Sequence, residues 1–254
     1  MWENFFETTD TIGEVLGFPM YGQIHMTWLA AIAVTVAAVA IIYRRGGDRT
    51  RGTMLWCVAA LTVGNEIAKY IVLGSSGHFT ADYLPLHLCS INIFVILAHA
   101  ITKNDYLAEI LYAASMPAAA AALLFPSWTS LPPTSFMHIH SFTVHTELFL
   151  YPLLLIVGGF KPNFRRLLRA LPFIAVTAAG VFMFNKAFDT NFMFLNGAGE
   201  GNPLSLFEGI LGDPGYLLSL PLLLAVVWAA MYGVPALRMR FAEKSSGLDP
   251  EAKI

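Results

Sequence analysis

Seven stretches of this 254-residue chain stay apolar long enough to cross a bilayer, and polar residues gather in short runs between them. A helix needs about 20 mostly apolar residues to span a hydrocarbon core of ~30 Å. The windows 24–43, 54–73, 84–101, 107–125, 138–158, 168–188 and 215–236 meet that requirement. They are separated by charge or turn residues: RRGGDR, GSSGH, TKND, PSWTSLPP, GGFKPN and NGAGEGN. The fourth window carries Pro117 in ASMPAAAAALLFP, which a membrane helix tolerates where a neighbour takes the carbonyl that the proline frees. The pattern predicts an all-α polytopic membrane protein. A seven-helix domain over 24–236 follows an exoplasmic segment 1–23 and precedes a cytoplasmic tail 237–254. In 1–23, Trp2, Phe5, Phe6, Ile12, Val15, Leu16 and Phe18 lie among four acids and predict a short interfacial helix. SLFEGILG, within the long loop 189–214, predicts another over the outer face. The polar tail EKSSGLDPEAKI predicts disorder.

Composition agrees with a membrane protein. Hydrophobic residues make up 56% of the chain and charged residues 13%, roughly half the share in soluble domains; mean hydropathy is +0.61. The distribution of charge says more than its net value of −2. Thirteen of the 15 Lys and Arg residues fall after the first, third, fifth and seventh windows. The positive-inside rule makes that side cytoplasmic, with the N-terminus outside and the C-terminus inside. A missed or invented span would scramble the alternation. No continuous basic face for nucleic acid is present. The start MWENFFETTD lacks a basic n-region, so the first span is expected to serve as an uncleaved signal. Cys57 and Cys89 lie near opposite faces and form no disulfide framework; Cys57 reads as core packing.

Orientation gives each intramembrane polar residue a depth. Gln23, His25, Asn65, Glu66, Lys69, His87, Cys89, His138, His140, His145, Glu147, Asn185, Lys186 and Asp189 all fall in the outer half, and His99 is the exception. Five windows thus contribute to a polar chamber open to the outer leaflet. An unpaired charge at mid-membrane costs about 2.5–3.5 kcal/mol even on the lenient scale, so these groups must pair or meet water. Glu66 and Lys69, three residues apart, can pair, either as a structural ion pair or in a substrate or proton role. His138 and His145 share one helical face, His140 and Glu147 another. His25 reads as a hydrogen-bonding anchor, His99 as structural and His140 as solvated near the boundary. Cys89 alone reads as an inert buried thiol; its polar company makes it a candidate nucleophile.

LPLHLCSI (84–91) resembles the signature of the YwaF-type family of bacterial integral membrane proteins. The resemblance extends to His25 in YGQIHMTW, Glu66 in GNEIAKY, His145 in FMHIHSFTVHT, NFMFLNG (191–197) and the GDPGYLL re-entry. One departure is His145-Thr146, where the family has His-Gly or His-Ser; the extra His138 and His140 are not all family sites. The resemblance implies a multi-pass protein of the bacterial inner membrane. It also implies a distant relation to a eukaryotic enzyme that moves acyl chains onto ether lysophospholipids through a cysteine and a histidine, at positions resembling Cys89 and His145. Such chemistry needs a nucleophile, a base and an oxyanion donor. Asn92, one turn after Cys89, is the candidate donor or orienting group, while His87 points elsewhere to a neighbouring helix. Glu147 is nearly opposite His145 and cannot orient it. The leading expectation is a lipid acyltransferase or acyl hydrolase with a phospholipid or lysophospholipid substrate and no cofactor. A transporter or ligand-binding protein with a proton-titrating cavity is the alternative, disfavoured because the inner halves of the windows read as apolar. A zinc-dependent hydrolase using His138 and His145 ranks lower, since no histidine pair has i, i+3 or i, i+4 spacing. A retinal photoreceptor is disfavoured because the seventh window has no lysine.

Overall fold

The computed structural model describes residues 4–12, 16–199 and 203–245, with the backbone alone for 234–245. Seven helices in it are long and apolar enough to cross a membrane. In chain order the helices are α1 Gln23–Arg45, α2 Asp48–Ser76, α3 Leu88–Thr102 and α4 Asp105–Leu124. They continue with α5 Phe136–Val157, α6 Phe164–Phe188, a short α7 Leu204–Leu211 and α8 Ser219–Ser245. Short turns join α1–α2, α3–α4 and α5–α6 at one end of the bundle, here the turn end. Longer connections and the N-terminal segment meet at the opposite, loop end. There Phe136 N–H donates to Phe5 O at 2.8 Å, and Phe18 N–H donates to Thr129 O at 2.9 Å. Gly17 is required by that approach, because a Cβ there would sit 1.7 Å from the Thr129 carbonyl oxygen.

The main core joins α1–α5, with Val58, Ile93, Ile96, Leu111, Leu148, Tyr151 and Leu154 buried at its centre. The α4 and α5 spans are the most buried; α1, α6 and α8 are peripheral. A second cluster, Phe18, Leu123, Trp128, Leu131 and Phe142, closes the loop end over α5. A third lies apart, where Ala198, Leu204 and Tyr216 tie the loop after α6 to α7 and the start of α8.

Without water, a freed backbone carbonyl needs an internal donor, and three of the helix prolines here have one. Pro117 lacks the N–H that would reach Ala113 O, and Trp228 Nε1–H of α8 donates to that oxygen at 2.9 Å. The helix also widens into a π segment at Leu111–Ser115, just ahead of the proline ring. Pro152 likewise frees Leu148 O, which accepts from Ser115 Oγ at 3.0 Å. Pro235 frees Met231 O, which accepts from Tyr112 Oη at 2.9 Å. The tolerance expected at Pro117 therefore extends to three positions and fastens α8 and α5 to the π segment.

Several expectations are corrected. The described residues of the N-terminal segment, 4–12 and 16–22, form turns and no helix. Trp2, Val15 and the tail beyond 245 lie outside the described residues. SLFEGILG does form a helix, α7. The third span begins with a 3₁₀ turn, Ala81–Tyr83, and α3 itself starts only at Leu88. Cys57 is exposed on the apolar surface and is not core. The inner halves are not wholly apolar either: Glu109 of α4, at the turn end, is completely buried. It accepts from Arg166 Nε at 2.9 Å, Tyr232 Oη at 2.6 Å and the Asn163 backbone N–H. Arg166 also meets Asp105 at 2.8 Å, so this cluster binds α4, α6 and α8 together.

Ser115→Ala should lower stability by about 1–2 kcal/mol, because Leu148 O is left without a donor. Adding Pro152→Ala restores an N–H to that carbonyl and should recover most of the loss, as read by thermal unfolding of the purified protein in detergent.

Candidate functional site

Three helices carry chemistry to the loop end. Lys69 Nζ of α2 meets Glu66 Oε1 at 2.6 Å, and both residues are only 6% exposed. One helical turn separates them, so the pair closes without cost to the helix. The ammonium also lies 4.7 Å from the centre of the Tyr70 ring. Lys69 acts electrostatically on His87 and His140, His145 acts on the same two histidines, and Glu66 acts on Cys89. Because α2 packs against both α3 and α5, these six residues are brought to one loop-end region of the bundle, a polar cluster in that sense.

Cys89 owes its place to where α3 begins. His87 is the N-cap and supplies no side-chain cap, and the first backbone bond recorded here runs from Ile91 N–H to His87 O at 3.0 Å. The Leu88, Cys89 and Ser90 N–H groups thus sit in the first turn, where helical N–H groups lack intrahelical acceptors. Cys89 is a free, half-buried thiol in that turn. Asn92 is buried, and its Nδ2 donates to Leu88 O at 2.9 Å.

Hydrogen-bond accounting assigns the histidine tautomers. His145 Nδ1 lies 2.6 Å from Ser141 O. A carbonyl only accepts, so Nδ1 carries the proton and Nε2 is the acceptor nitrogen. Trp128 stacks on this ring at 5.2 Å with an interplanar angle of 13° and fixes its plane. His25 is the reverse case: Nδ1 accepts from Tyr21 N–H at 3.0 Å, and Nε2–H donates to Leu123 O at 2.8 Å. Both its nitrogens are spent on backbone, which makes it an anchor. His99 is buried at the turn-end half of α3 and bonds Tyr151 Oη at 2.9 Å.

The remaining predicted residues divide. His140 is buried rather than solvated: it is 6% exposed, and Phe136 stacks on its ring. His138 is fully buried between Phe18, Phe142 and Trp28, away from the Lys69 cluster; its ring makes no close hydrogen bond, and the Leu131 backbone is the polar group that acts on it. Glu147 faces α2, where Asn65 Nδ2 donates to both carboxylate oxygens at 2.9 and 3.0 Å. Lys186 is exposed and bonds Asn196, so it stands outside the cluster. His87 turns to a loop and not to a helix: Phe192 packs edge-on at 5.0 Å, and Met193 N–H donates to its Nδ1 at 3.4 Å. That loop is held by Asn185, which bonds Phe192 at both N–H and carbonyl, and by Tyr216 Oη, which donates to Phe194 O at 2.8 Å. NFMFLNG and GDPGYLL are thus one unit roofing His87. Met193 and Phe194 both adopt positive φ, 57° and 56°, a left-handed conformation costly for these side chains.

Lys69→Met should destabilise the protein by about 3–5 kcal/mol, because Glu66 is left as a buried unpaired charge. Glu66→Gln combined with Lys69→Met should be far milder, as measured by thermal unfolding in detergent.

Comparison with known proteins identifies one family. The TMEM164 family model, that of a multi-pass membrane family, matches residues 20–232. No curated protein and no solved structure matches the chain.

Proposed function

The chain belongs to the TMEM164 family, and from that premise we propose a membrane-embedded acyl-transfer enzyme acting on membrane lipids, with Cys89 as nucleophile and His145 as base. The observation that carries this reading is the His145 tautomer. Its Nδ1 proton is held by Ser141 O, so Nε2 presents a lone pair from a ring clamped by Trp128. Fixing the far nitrogen to make the near one basic is how a general base is oriented.

In the proposed reaction Nε2 takes the Cys89 proton as Sγ attacks the ester carbonyl carbon of a donor lipid. The tetrahedral oxyanion is met by the first-turn N–H groups of α3, which are better placed by connectivity than Asn92, whose amide already donates to Leu88 O. Collapse expels the lyso-lipid alkoxide, which takes the proton back from His145 and leaves a thioester on Cys89. An acceptor hydroxyl, deprotonated by the same Nε2, then attacks the thioester and regenerates the thiol. A lysolipid acceptor makes the enzyme a transferase, and water makes it a hydrolase. The resemblance to an ether-lysophospholipid acyltransferase favours the transferase. The positive-inside pattern supports an outer-leaflet position for the cluster, at the depth of lipid esters.

The transporter reading gains one observation, since Glu109 puts a buried acid at the turn end. Between the two polar clusters the core carries Ile93, Ile96, Leu111, Leu148 and Leu154 together with the buried polar residues Thr62, Ser115 and His99. Among the described residues no three His, Cys, Asp or Glu side chains converge as metal ligands, which keeps the zinc reading below the thiol.

Cys89→Ala should abolish acyl transfer between phospholipid and lysophospholipid in reconstituted vesicles, with folding unchanged by thermal unfolding. His145→Gln should reduce turnover by about 10²-fold or more. Full turnover in purified Cys89→Ala protein would overturn the nucleophile assignment.

A further inference from the structure

The polar cluster holds N–H groups on Lys69 and His87 for which no acceptor is recorded among the described residues. Lys69 has three N–H bonds, and Glu66 is the one oxygen acceptor recorded for it among the described residues. Because His87 Nδ1 accepts from Met193 N–H, its proton sits on Nε2 and is free to be donated. His140 Nδ1 is buried and has no hydrogen-bond partner. A buried polar atom without a partner is unfavourable, and His140 Nδ1 is one, in a ring on which both Lys69 and His145 act electrostatically. Glu66 is the only acid in the cluster, and it engages Lys69 through a single N–H. Open N–H groups on an ammonium and an imidazole suit a polyatomic oxyanion, whose several oxygens can accept from separate donors at once.

We propose that Lys69, His87 and His140 form a subsite for the phosphate group of the lipid substrate, next to the reacting thiol. The assignment rests on the acyl-transfer reading for its choice of a lipid and adds to it a specificity: phosphate-bearing lipids are taken, and neutral glycerides of the same chain length are not. Lys69 supplies the charge, and Glu66 orients it. His87 links the subsite to the strained Met193–Phe194 loop, so the roof over the head group is the segment that carries the left-handed residues.

The test is equilibrium binding to the purified full chain in detergent, comparing radiolabelled 1-palmitoyl lysophosphatidylcholine with 1-palmitoylglycerol. The wild-type protein should prefer the phosphate-bearing lipid by about 10-fold or more, the size expected for hydrogen bonds to a charged group. The preference should fall towards unity in the Glu66→Gln/Lys69→Met double variant, which keeps volume and removes both charges together, and it should weaken in His87→Gln. Cys89→Ala should bind with the full preference, because the thiol acts after binding. Equal wild-type affinity for the two lipids, or a preference unchanged in both variants, would overturn the subsite. Displacement of the lysolipid by an equal concentration of inorganic phosphate would assign the donors to free phosphate and overturn the head-group assignment. If Cys89→Ala remained active while the phosphate preference stood, the acyl-transfer reading would fail and the subsite would survive.

Discussion

The absence of water in the hydrocarbon layer is the constraint from which the rest of this structure follows. Inside a bilayer a backbone carbonyl or a charged side chain must find its partner within the protein. The chain meets that demand in two ways. Side chains on neighbouring helices complete carbonyls that prolines leave open, as Trp228, Ser115 and Tyr112 do. Charges are matched within closed groups, Glu66 with Lys69 at the loop end and Glu109 with Arg166 at the turn end. Both devices also fix helix positions, so polar satisfaction and architecture are the same set of contacts.

The same accounting separates residues that composition alone treats alike. His25 and His145 both carry ring nitrogens bonded to backbone, yet the first has none left and the second has one. The difference lies in whether the backbone partner is an N–H or a carbonyl: Tyr21 N–H consumes an acceptor, whereas Ser141 O consumes only a proton. Cys89 is set apart from Cys57 in a similar manner. Both are thiols in apolar helices, but one lies in an uncapped first turn beside charged groups and the other faces the apolar exterior.

The spans were legible because hydropathy and alternating charge report the same property, the position of each residue relative to the bilayer. Which side of a helix faces protein was not legible, since lipid is as apolar as a core. Cys57 and Lys186 were misplaced for that reason. Glu109 escaped notice in DYLAEI, at the edge of a window where an acid reads as a boundary. Its partners Arg166 and Tyr232 are 57 and 123 residues away, beyond any local pattern. The start of α3 was drawn at Leu84 because Leu84, Pro85 and Leu86 are apolar; apolarity does not mark a helix start, and the turn around Pro85 delays it to Leu88. That shift of four residues moves Cys89 from mid-helix to the first turn, and with it the choice between Asn92 and backbone amides. The Glu66–Lys69 pair was legible from spacing, and the Trp128–His145 stack was not.

The proline-linked contacts also bear on how such a chain can change over generations. A carbonyl oxygen is present whatever side chain its residue carries, so these contacts set no condition of their own on the side chains of Ala113, Leu148 and Met231. The burden falls on the proline and its distant donor, which form a unit: Pro117 with Trp228, Pro152 with Ser115, Pro235 with Tyr112. Losing the donor alone strands a carbonyl, and losing the proline alone makes the donor compete with a restored N–H. Inheritance should therefore treat each pair as one character, kept or discarded together, even though its members lie on different helices.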